Sequence, residues 1–569
     1  MEAAKNKPVL FKMFLLFAAS ALLLTLISTP TNLSFLAWAA IVPFLLACDP
    51  TAVGWHGQKR SVAMFILIAW FIGFLYWVGN LYWLWYVTAA GQIALCVYLG
   101  AYWAALAACV RYCRAKGYPL FIVAPILWAG AETLQGWFCD GVAWRFLAHS
   151  QYANLTLIQI ADVVGTAGIT FIIAMVNGLI ADWIIAAKEK RMWQWPSLVK
   201  GAITAILLIV TTIYGYVSFN KWAVSVSEGP IIAAVQPNVP LEVKESGDQS
   251  EEIFANCLRD STAARDARAK LIAWPETMVQ AVLNPEVLRL VEPNSQQRKF
   301  DAALREHTKG KCYVLAGAYG RTIKWTGGQP DYDQKYNSAF LYRADGILDS
   351  KSYNKIHLVP FGEVVPFKQS IPWLHSLLMN FTPYDYDYTL DYGSEYTIFE
   401  MADGGQYRFG VLICYEDTVP YIARNLAIAG NPKSKIQNPK SVDWLVNISN
   451  DGWFVRFVDS KVLPSTELRQ HAAICVFRAV ENRLPILRSV NTGISCLIDS
   501  SGKIRNDYYA GNLPKKAMDR QGMAGWFADI VLIDKRVTFF SLHGQWLGFG
   551  CAALFIALLL IQFKAKAER

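Results

Sequence analysis

The chain has 569 residues, of which 54% are hydrophobic and 14% aromatic against only 17% charged. This composition excludes an intrinsically disordered chain, and it favours a membrane protein over an ordinary soluble one. Lys and Arg number 53 and Asp and Glu 44, a net charge of +9, and because much of this excess flanks apolar runs we expect a lipid partner and no nucleic acid.

Seven long apolar runs precede a more polar central region, and an eighth follows it. A helix needs about 20 apolar residues to cross a bilayer, and most of these runs meet that length. We therefore predict a polytopic α-helical membrane domain of about eight transmembrane helices, seven in residues 1–220 and one in residues 542–569 before a basic tail. The runs are residues 9–27, 33–48, 62–87, 92–112, 119–138, 155–187, 198–219 and 546–563.

Basic residues occur in alternate loops, which sets the expected orientation. Lys and Arg before the first run, between the second and third, after the fourth, around the turn from the sixth to the seventh and at the chain end all fall on one side. Seven spans then place the central domain on the opposite face. We expect a multi-pass protein of the bacterial inner membrane with a periplasmic central domain. The first run also fits a cleaved signal peptide, which would leave the remaining topology unchanged.

Carboxylates inside apolar runs are rare because burying a charge in lipid is costly. Glu132 and Asp162 are two such residues. We expect them to tie helices together near span ends; the alternative is direct contact with a lipid head group.

Residues 221–541 form the predicted central domain. Short apolar strands first alternate with helical stretches, and hairpin-like pairs follow, which predicts an α/β sandwich with sheets inside and helices outside. The predicted strands are 231–236, 271–274, 313–319, 338–342, 409–414, 444–448, 486–490 and 495–499, and the predicted helices are 251–270, 285–309, 419–428 and 465–482.

Several common site motifs are missing from the sequence. There is no G-x-G-x-x-G, G-x-x-x-x-G-K-[ST] or G-x-S-x-G, and neither a C-x-x-C pair nor an H-E-x-x-H spacing occurs. We therefore predict no metal and no other cofactor.

Three motifs each place a reactive side chain just after a predicted strand. LIAWPET contains Glu276, YNKIHLVPFGE contains Lys355 and Glu363, and GVLICYED contains Cys414. Acyl transfer through a thioester needs a Cys nucleophile, a carboxylate to move its proton and a cation for the oxyanion. Taken singly, such a Cys is usually a core residue, and such a Glu or Lys is usually a turn or surface residue. The prediction of a catalytic site therefore rests on the three motifs occurring together in this order.

The ordered set resembles the nitrilase (carbon–nitrogen hydrolase) superfamily and, over nearly the whole chain, the bacterial apolipoprotein N-acyltransferase family. The resemblance implies a nitrilase-like α-β-β-α sandwich, with Glu276 as general base, Lys355 as oxyanion stabiliser and Cys414 as nucleophile. It also implies supporting residues, one of them in the stretch NISNDGWF; these are Glu363, Tyr415, Glu416 and Asn450. The sequence departs from the family pattern at Gln135, Glu245 and Gln545, outside the three catalytic residue types.

The activity implied by the resemblance is a ping-pong acyl transfer. A phospholipid acylates the Cys, and the N-terminal amine of a diacylglyceryl-cysteine in an apolipoprotein then takes the acyl group, which matures a lipoprotein. The expected partners are this donor and acceptor, and we expect a monomer. Two alternatives remain: a membrane-anchored nitrilase-type amidase that uses water, and a transporter or receptor with an extracytoplasmic domain.

Two further expectations concern the central domain. Trp373, Leu377 and Phe381 have helical spacing within residues 365–390, which indicates an amphipathic substrate lid at the membrane interface; the alternative is a loop packed on the core. The domain also has five Cys, and we expect Cys414 to stay reduced and the other four to be buried.

Overall fold

A computed structural model describes residues 2–54, 59–365, 368, 370–382, 388–428, 440–459 and 461–567. The chain divides into two units. The first comprises Met1–Asn220 together with His543–Arg569, and the second comprises Lys221–Leu542.

The first unit is helical because its apolar runs are long and contain few helix-breaking residues. Its helices are α1 Glu2–Leu26, α2 Val42–Cys48, α3 Pro50–Val53, α4 Lys59–Asn80, α5 Ala89–Ala115, α6 Leu120–Gln135, α7 Leu155–Ile158, α8 Ala161–Lys188, α9 Trp195–Ser225 and the C-terminal helix Trp546–Ala567. Short 3₁₀ helices cover Ser34–Trp38, Tyr82–Tyr86, Phe138–Asp140 and Leu147–Gln151.

Among the described residues, five helices are long and apolar enough to cross a membrane: Pro8–Leu26, Val62–Asn80, Ala89–Ala115, Ala161–Lys188 and Trp195–Ser225. Three shorter apolar helices, Ser34–Cys48, Leu120–Gln135 and Trp546–Gln562, coincide with the remaining predicted runs. The predicted polytopic membrane domain is thus confirmed, whereas the number of eight spans stays a prediction.

Close helix packing and a buried carboxylate hold the first unit together. A Cβ at Gly130 of α6 would lie 2.5 Å from the carbonyl oxygen of Cys551, so glycine lets the C-terminal helix approach. Glu132 accepts hydrogen bonds from Trp128 Nε1 at 3.0 Å, from the Leu147 amide at 2.7 Å and from Thr170 Oγ1 at 2.6 Å. Glu132 therefore joins α6 to α8, and the expected tying role is confirmed for this residue.

The second unit contains fifteen described strands and eight α-helices. The strands are β1 Val226–Gln236, β2 Leu271–Ala273, β3 Val279–Val282, β4 Tyr313–Thr326, β5 Gln329–Tyr342, β6 Leu348–Asn354, β7 Ile398–Ala402, β8 Gln406–Ile413, β9 Trp444–Asn450, β10 Arg456–Val458, β11 Lys461–Leu463, β12 Ile486–Asn491, β13 Cys496–Ile498, β14 Ala510–Gly511 and β15 Gly525–Asp534. The helices are α10 Leu241–Ser246, α11 Ser250–Asp266, α12 Pro285–Leu290, α13 Gln296–Thr308, α14 Pro372–Leu378, α15 Pro420–Ile428, α16 Thr466–Asn482 and α17 Phe539–His543, with 3₁₀ turns at Met379–Phe381, Cys414–Thr418, Asp451–Phe454 and Ala517–Asp519.

Two sheets stack face to face in this unit. The larger has the order β14-β15-β1-β2-β4-β5-β6, with β3 paired to β4, and the smaller has the order β13-β12-β9-β8-β7. A shared core of side chains such as Ala273, Leu315, Val411 and Val446 lies between the sheets. Residues of α11 and α13, including Phe254 and Phe300, form a second core on the outer face of the larger sheet.

On the smaller sheet, Leu426 of α15 lies beside Gly410 of β8. The order of layers is therefore helix, sheet, sheet, helix, and the predicted α-β-β-α sandwich is confirmed. The sequence prediction was wrong in detail at residues 285–309, which form two helices rather than one, because Pro293 lies between them.

Candidate active site

Cys414 stands where β8 ends. The strand stops at Ile413, and the chain turns at once into the 3₁₀ helix Cys414–Thr418. Cys414 has φ +53°, a left-handed conformation that is unfavourable for a residue with a side chain, and such strained positions cluster at functional sites. The Asn447 side-chain amide donates to the Cys414 carbonyl at 3.2 Å and so braces the turn from the neighbouring β9.

Glu276 is the third residue after the end of β2. A Cβ at Gly317 of β4 would lie 2.3 Å from the Pro275 carbonyl oxygen, so glycine is required where this turn crosses the strand. The next residue, Thr277, has φ +50°. The Asn450 amide at the end of β9 donates to Glu276 Oε2 at 2.9 Å, which joins the turn to the smaller sheet.

Lys355 follows β6 and lies between two carboxylates. Its Nζ is 2.7 Å from Glu363 Oε2 and 3.6 Å from Glu276 Oε1. Burial disfavours the ammonium, but the charges of Glu363 and Glu276 outweigh burial and raise the pKa of Lys355 above its ordinary value. Lys355 is therefore a fixed positive charge in the site at physiological pH.

Asn337 of β5 also contacts both carboxylates, and the sequence analysis did not identify it. Its Nδ2 donates to Glu276 Oε1 at 2.6 Å and to Glu363 Oε1 at 2.9 Å. Glu363 accepts in addition from the Val359 amide at 2.9 Å, so its own loop holds it in place. The available signal was a polar Asn directly before the predicted strand 338–342.

The thiol of Cys414 is protonated at rest. Burial and then the negative charge of Glu276 raise the pKa of the thiol to about 12, although Lys355 and His471 oppose the shift. The side chain is only 8% exposed. The nearby Lys355 cation favours the thiolate, but burial and the carboxylate outweigh it, so a base must remove the proton during attack.

Glu416 has a scaffolding position rather than one facing the thiol. It is fully buried, and its carboxylate accepts from Tyr353 OH at 2.8 Å and from the amides of Ile356, His357 and Ile413 at 2.7, 3.0 and 2.7 Å. Burial raises the pKa of Glu416 to about 7 against the effect of these donors. Glu416 thereby ties the Lys355 segment to the strand that presents the nucleophile.

Two other predicted supporting residues lie beside these groups. The Tyr415 ring stacks on His357 with centroids 5.7 Å apart. Asn450 contributes its backbone amide to Glu276, whereas its side-chain oxygen accepts from Asn491 Nδ2 at 2.9 Å. Asn450 thus acts on Glu276 through the main chain.

A buried charged cluster lies behind the Cys414 turn. Asp417 pairs with Arg488 and is 2.8 Å from His471 Nε2, and His471 Nδ1 is 3.3 Å from Asp451 and 3.2 Å from Glu467. Burial opposes the charge of His471, but Asp417 and Asp451 raise its pKa well above the ordinary value.

Asp451, Glu467 and His471 have ligand atoms within 4.8 Å of one another and could in principle hold a cation. However, Arg488 Nη2 lies 3.7 Å from Asp451 Oδ2, so the guanidinium and the protonated imidazole already supply positive charge.

The lid candidates lie on and just after α14, whose side chains are all at least partly exposed. Trp373 is 71% exposed and Leu377 51% exposed. Phe381 ends the following 3₁₀ turn, and its side chain lies outside the described part of the structure. The role of this segment as a lid stays a prediction.

The five Cys of this unit are all free in the structure. Cys257, Cys312, Cys475 and Cys496 are buried, as expected, and Cys414 is buried as well.

Two family models match separate parts of the chain. Residues 20–179 match the apolipoprotein N-acyltransferase N-terminal domain, and residues 231–512 match the carbon-nitrogen hydrolase family. A solved amidase from Nesterenkonia is 16% identical, with a TM-score of 0.33 over 56% of this chain and 98% of the amidase.

Two relatives extend over almost the full length. The apolipoprotein N-acyltransferase of Geobacter metallireducens is 31% identical over 97% of this chain and 96% of its own. That of Chlorobaculum tepidum is 27% identical over 97% of each chain. The resemblance inferred from the sequence is confirmed, and the chain belongs to the apolipoprotein N-acyltransferase family.

Proposed function

We propose that this protein transfers a fatty acyl chain from a membrane phospholipid, through a thioester on Cys414, to the N-terminal amine of diacylglyceryl-cysteine in an apolipoprotein. Lipoprotein N-acylation is the activity named for its full-length relatives. The observation that carries the proposal at the level of residues is the Lys355 ammonium between Glu276 and Glu363, within electrostatic range of Cys414.

In the first half-reaction, Glu276 takes the thiol proton as Cys414 Sγ attacks the ester carbonyl carbon. The negative charge that develops on the carbonyl oxygen is stabilised by Lys355, a cation whose charge its neighbours keep in place. The ester C–O bond then breaks, the acyl group remains on sulfur, and the lysophospholipid oxygen leaves with the proton from Glu276.

In the second half-reaction, the amine of the apolipoprotein attacks the thioester. Glu276 takes a proton from the attacking nitrogen and returns it to the departing sulfur, so an amide forms and the thiol is restored. Because burial raises the pKa of the Cys414 thiol to about 12, the thiolate is a poor leaving group, so the sulfur must receive this proton as it departs.

The membrane unit anchors the proposed reaction at the bilayer that contains both substrates. We assign residues 221–541 to the catalytic domain and residues 1–220 with 542–569 to the membrane anchor, with the catalytic domain periplasmic at the bacterial inner membrane and the protein a monomer. Loop charge asymmetry supports this orientation. Confining both lipid-anchored substrates to one membrane face raises their effective concentration at the site.

The exposed face of α14 fits a role at the membrane surface. Trp373 and Leu377 lie four residues apart and are both largely exposed, the spacing of one apolar helix face. We assign this segment, with Phe381, to a lid that admits lipid to the site.

The test compares wild type, Cys414→Ala and Cys139→Ala, the last removing an exposed Cys of the membrane unit. Each is incubated in bilayers with labelled phosphatidylethanolamine and a diacylated lipopeptide. Wild type and Cys139→Ala should release lysophospholipid and form triacylated peptide, and Cys414→Ala should form neither. Free fatty acid or ammonia in place of the triacylated product would identify a hydrolase that uses water, and activity independent of Cys414 would refute the assigned nucleophile.

A further inference from the structure

Lys244 is a second lysine of the site, and the reaction described above does not use it. It lies on α10, just beyond the carboxyl end of β1. Its Nζ donates a hydrogen bond to Thr277 Oγ1, directly after Glu276 in the chain. Gln280 Nε2 in turn donates to the Lys244 carbonyl oxygen. Two contacts therefore hold α10 against the segment that carries the general base.

The two lysines differ in their partners. Lys355 Nζ has the carboxylate of Glu363 at 2.7 Å. In the part of the chain that the structure describes, Lys244 Nζ has one hydrogen-bond acceptor, the neutral Thr277 hydroxyl. An ammonium has three N–H donors, so two of them remain for a ligand.

Lys244 also belongs to the electrostatic environment of the reaction. Its charge interacts with those of Glu276, Glu245, Cys414 and Glu363. Burial lowers the pKa of Lys244 below its ordinary value, and the acidic neighbours offset this only in part. An anion placed beside this ammonium would offset the cost of burying it, so the position favours binding of a negatively charged group.

The backbone next to Lys244 is held in a strained conformation. Thr277 has φ +50°, which is unfavourable for a β-branched residue. Surrounding structure must enforce such a conformation, and these positions cluster at functional sites. The hydroxyl that orients the ammonium is therefore part of a preorganised turn.

We propose that Lys244 binds the phosphodiester of the acyl donor and thereby makes the site selective for phospholipids over neutral esters. The inference rests on the proposed function, because it assigns part of that donor. In a glycerophospholipid the phosphate is separated from the reacting ester only by the glycerol unit. Lys244 interacts electrostatically with Cys414 and, among the described residues, forms no ion pair with a carboxylate, so it can contact the phosphate while Lys355 stabilises the carbonyl oxygen.

The experiment measures the rate at which Cys414 becomes acylated, by intact mass in single turnovers of the full-length protein in detergent micelles. The donors are a phosphatidylglycerol and a diacylglycerol with the same acyl chains. The variants are Lys244→Met, Lys244→Arg and Lys351→Met, the last removing an exposed lysine of β6 as a charge-matched control.

Lys244→Met should acylate about 10- to 100-fold more slowly from phosphatidylglycerol, the range expected for one hydrogen bond to a charged group. Its rate from diacylglycerol should stay within about threefold of wild type, since no phosphate contact is lost. Lys244→Arg should recover most of the loss, and Lys351→Met should match wild type with both donors.

An equal loss with both donors would overturn the inference, because it would assign Lys244 to the oxyanion or to folding. If wild type forms no Cys414 acyl-enzyme from either donor, the proposed function itself fails, whatever the variants do.

Discussion

Buried carboxylates occur in both units of the molecule, but their surroundings differ. Glu132 in the membrane unit accepts from Trp128, Leu147 and Thr170, which are neutral donors on neighbouring segments. Glu276 in the second unit accepts from Asn337 and the Asn450 amide and also lies 3.6 Å from the Lys355 ammonium.

This difference distinguishes a carboxylate that connects structural elements from one that can exchange protons with a nucleophile. Neutral donors satisfy a buried carboxylate and fix the elements that carry it, which suits a helix tie. A cation and a thiol beside a carboxylate create a group that can exchange protons with a nucleophile. Burial of an acidic residue is thus not itself a sign of catalysis; the charge and reactivity of its neighbours decide.

Glu276→Gln tests the comparison most severely. Gln keeps an acceptor for Asn337 but cannot take the thiol proton, so acylation of Cys414 should slow by about 1000-fold. Single-turnover acylation from labelled phospholipid measures the effect.

Glu132→Gln is the matched control, because it makes the same chemical change in the other buried carboxylate. Its acylation rate should stay within about twofold of wild type, and its stability should fall by about 1 kcal/mol in thermal unfolding. Comparable losses of rate in both variants would refute the distinction between the two regions.

Asn337→Ala should slow acylation by about 10- to 100-fold, since each carboxylate loses a hydrogen bond to its charge and Glu276 loses its alignment. Rapid-mixing measurements of the first turnover report this loss. Asn256→Ala, on α11, serves as the control and should behave as wild type. A rate unchanged by Asn337→Ala would show that Lys355 alone organises the carboxylates.

The pH dependence of Cys414 alkylation tests the protonated resting thiol. Burial raises its pKa to about 12, so the reactive thiolate fraction stays small and should grow about tenfold per pH unit between about pH 7 and 10. Peptide mass spectrometry after reaction with a small neutral alkylating reagent follows the rate, and circular dichroism checks the fold at each pH. A plateau below about pH 9, like that of an unstructured Cys peptide, would mean that the thiol is not shifted upward.

The double variant Trp373→Ala and Leu377→Ala should show the smallest effect. If this segment is the proposed lid, removing two of its exposed apolar side chains should raise the apparent KM for phospholipid by about three- to tenfold. Acylation of Cys414 by a soluble acyl thioester should not change. Trp325→Ala, which removes an exposed Trp of β4, is the control. If both acyl donors are affected equally, α14 is structural rather than a lid.

Much of the architecture could be predicted because its signals are local. Long apolar runs predict helices wherever they occur, and all eight runs coincide with apolar helices, although three are shorter than a full span. Strand positions were predictable where apolar residues dominated, as in β9. Strand β6, with the sequence LDSKSYN, was not predicted because most of its residues are polar and give no apolar strand pattern. The strand is stabilised by its pairing with β5.

The sequence by itself determined the two-part organisation, the sandwich class and the order of Glu276, Lys355 and Cys414. Apolar periodicity and short motifs are local properties, so they can be recognised without knowing which segments meet in the fold. Only the tertiary structure decided that Asn337 joins two carboxylates, that Glu416 ties two segments together and that Cys414 rests protonated. Hydrogen-bond partners and pKa values depend on which groups from distant segments meet and how far water is excluded, and that is settled only when the sheets pack.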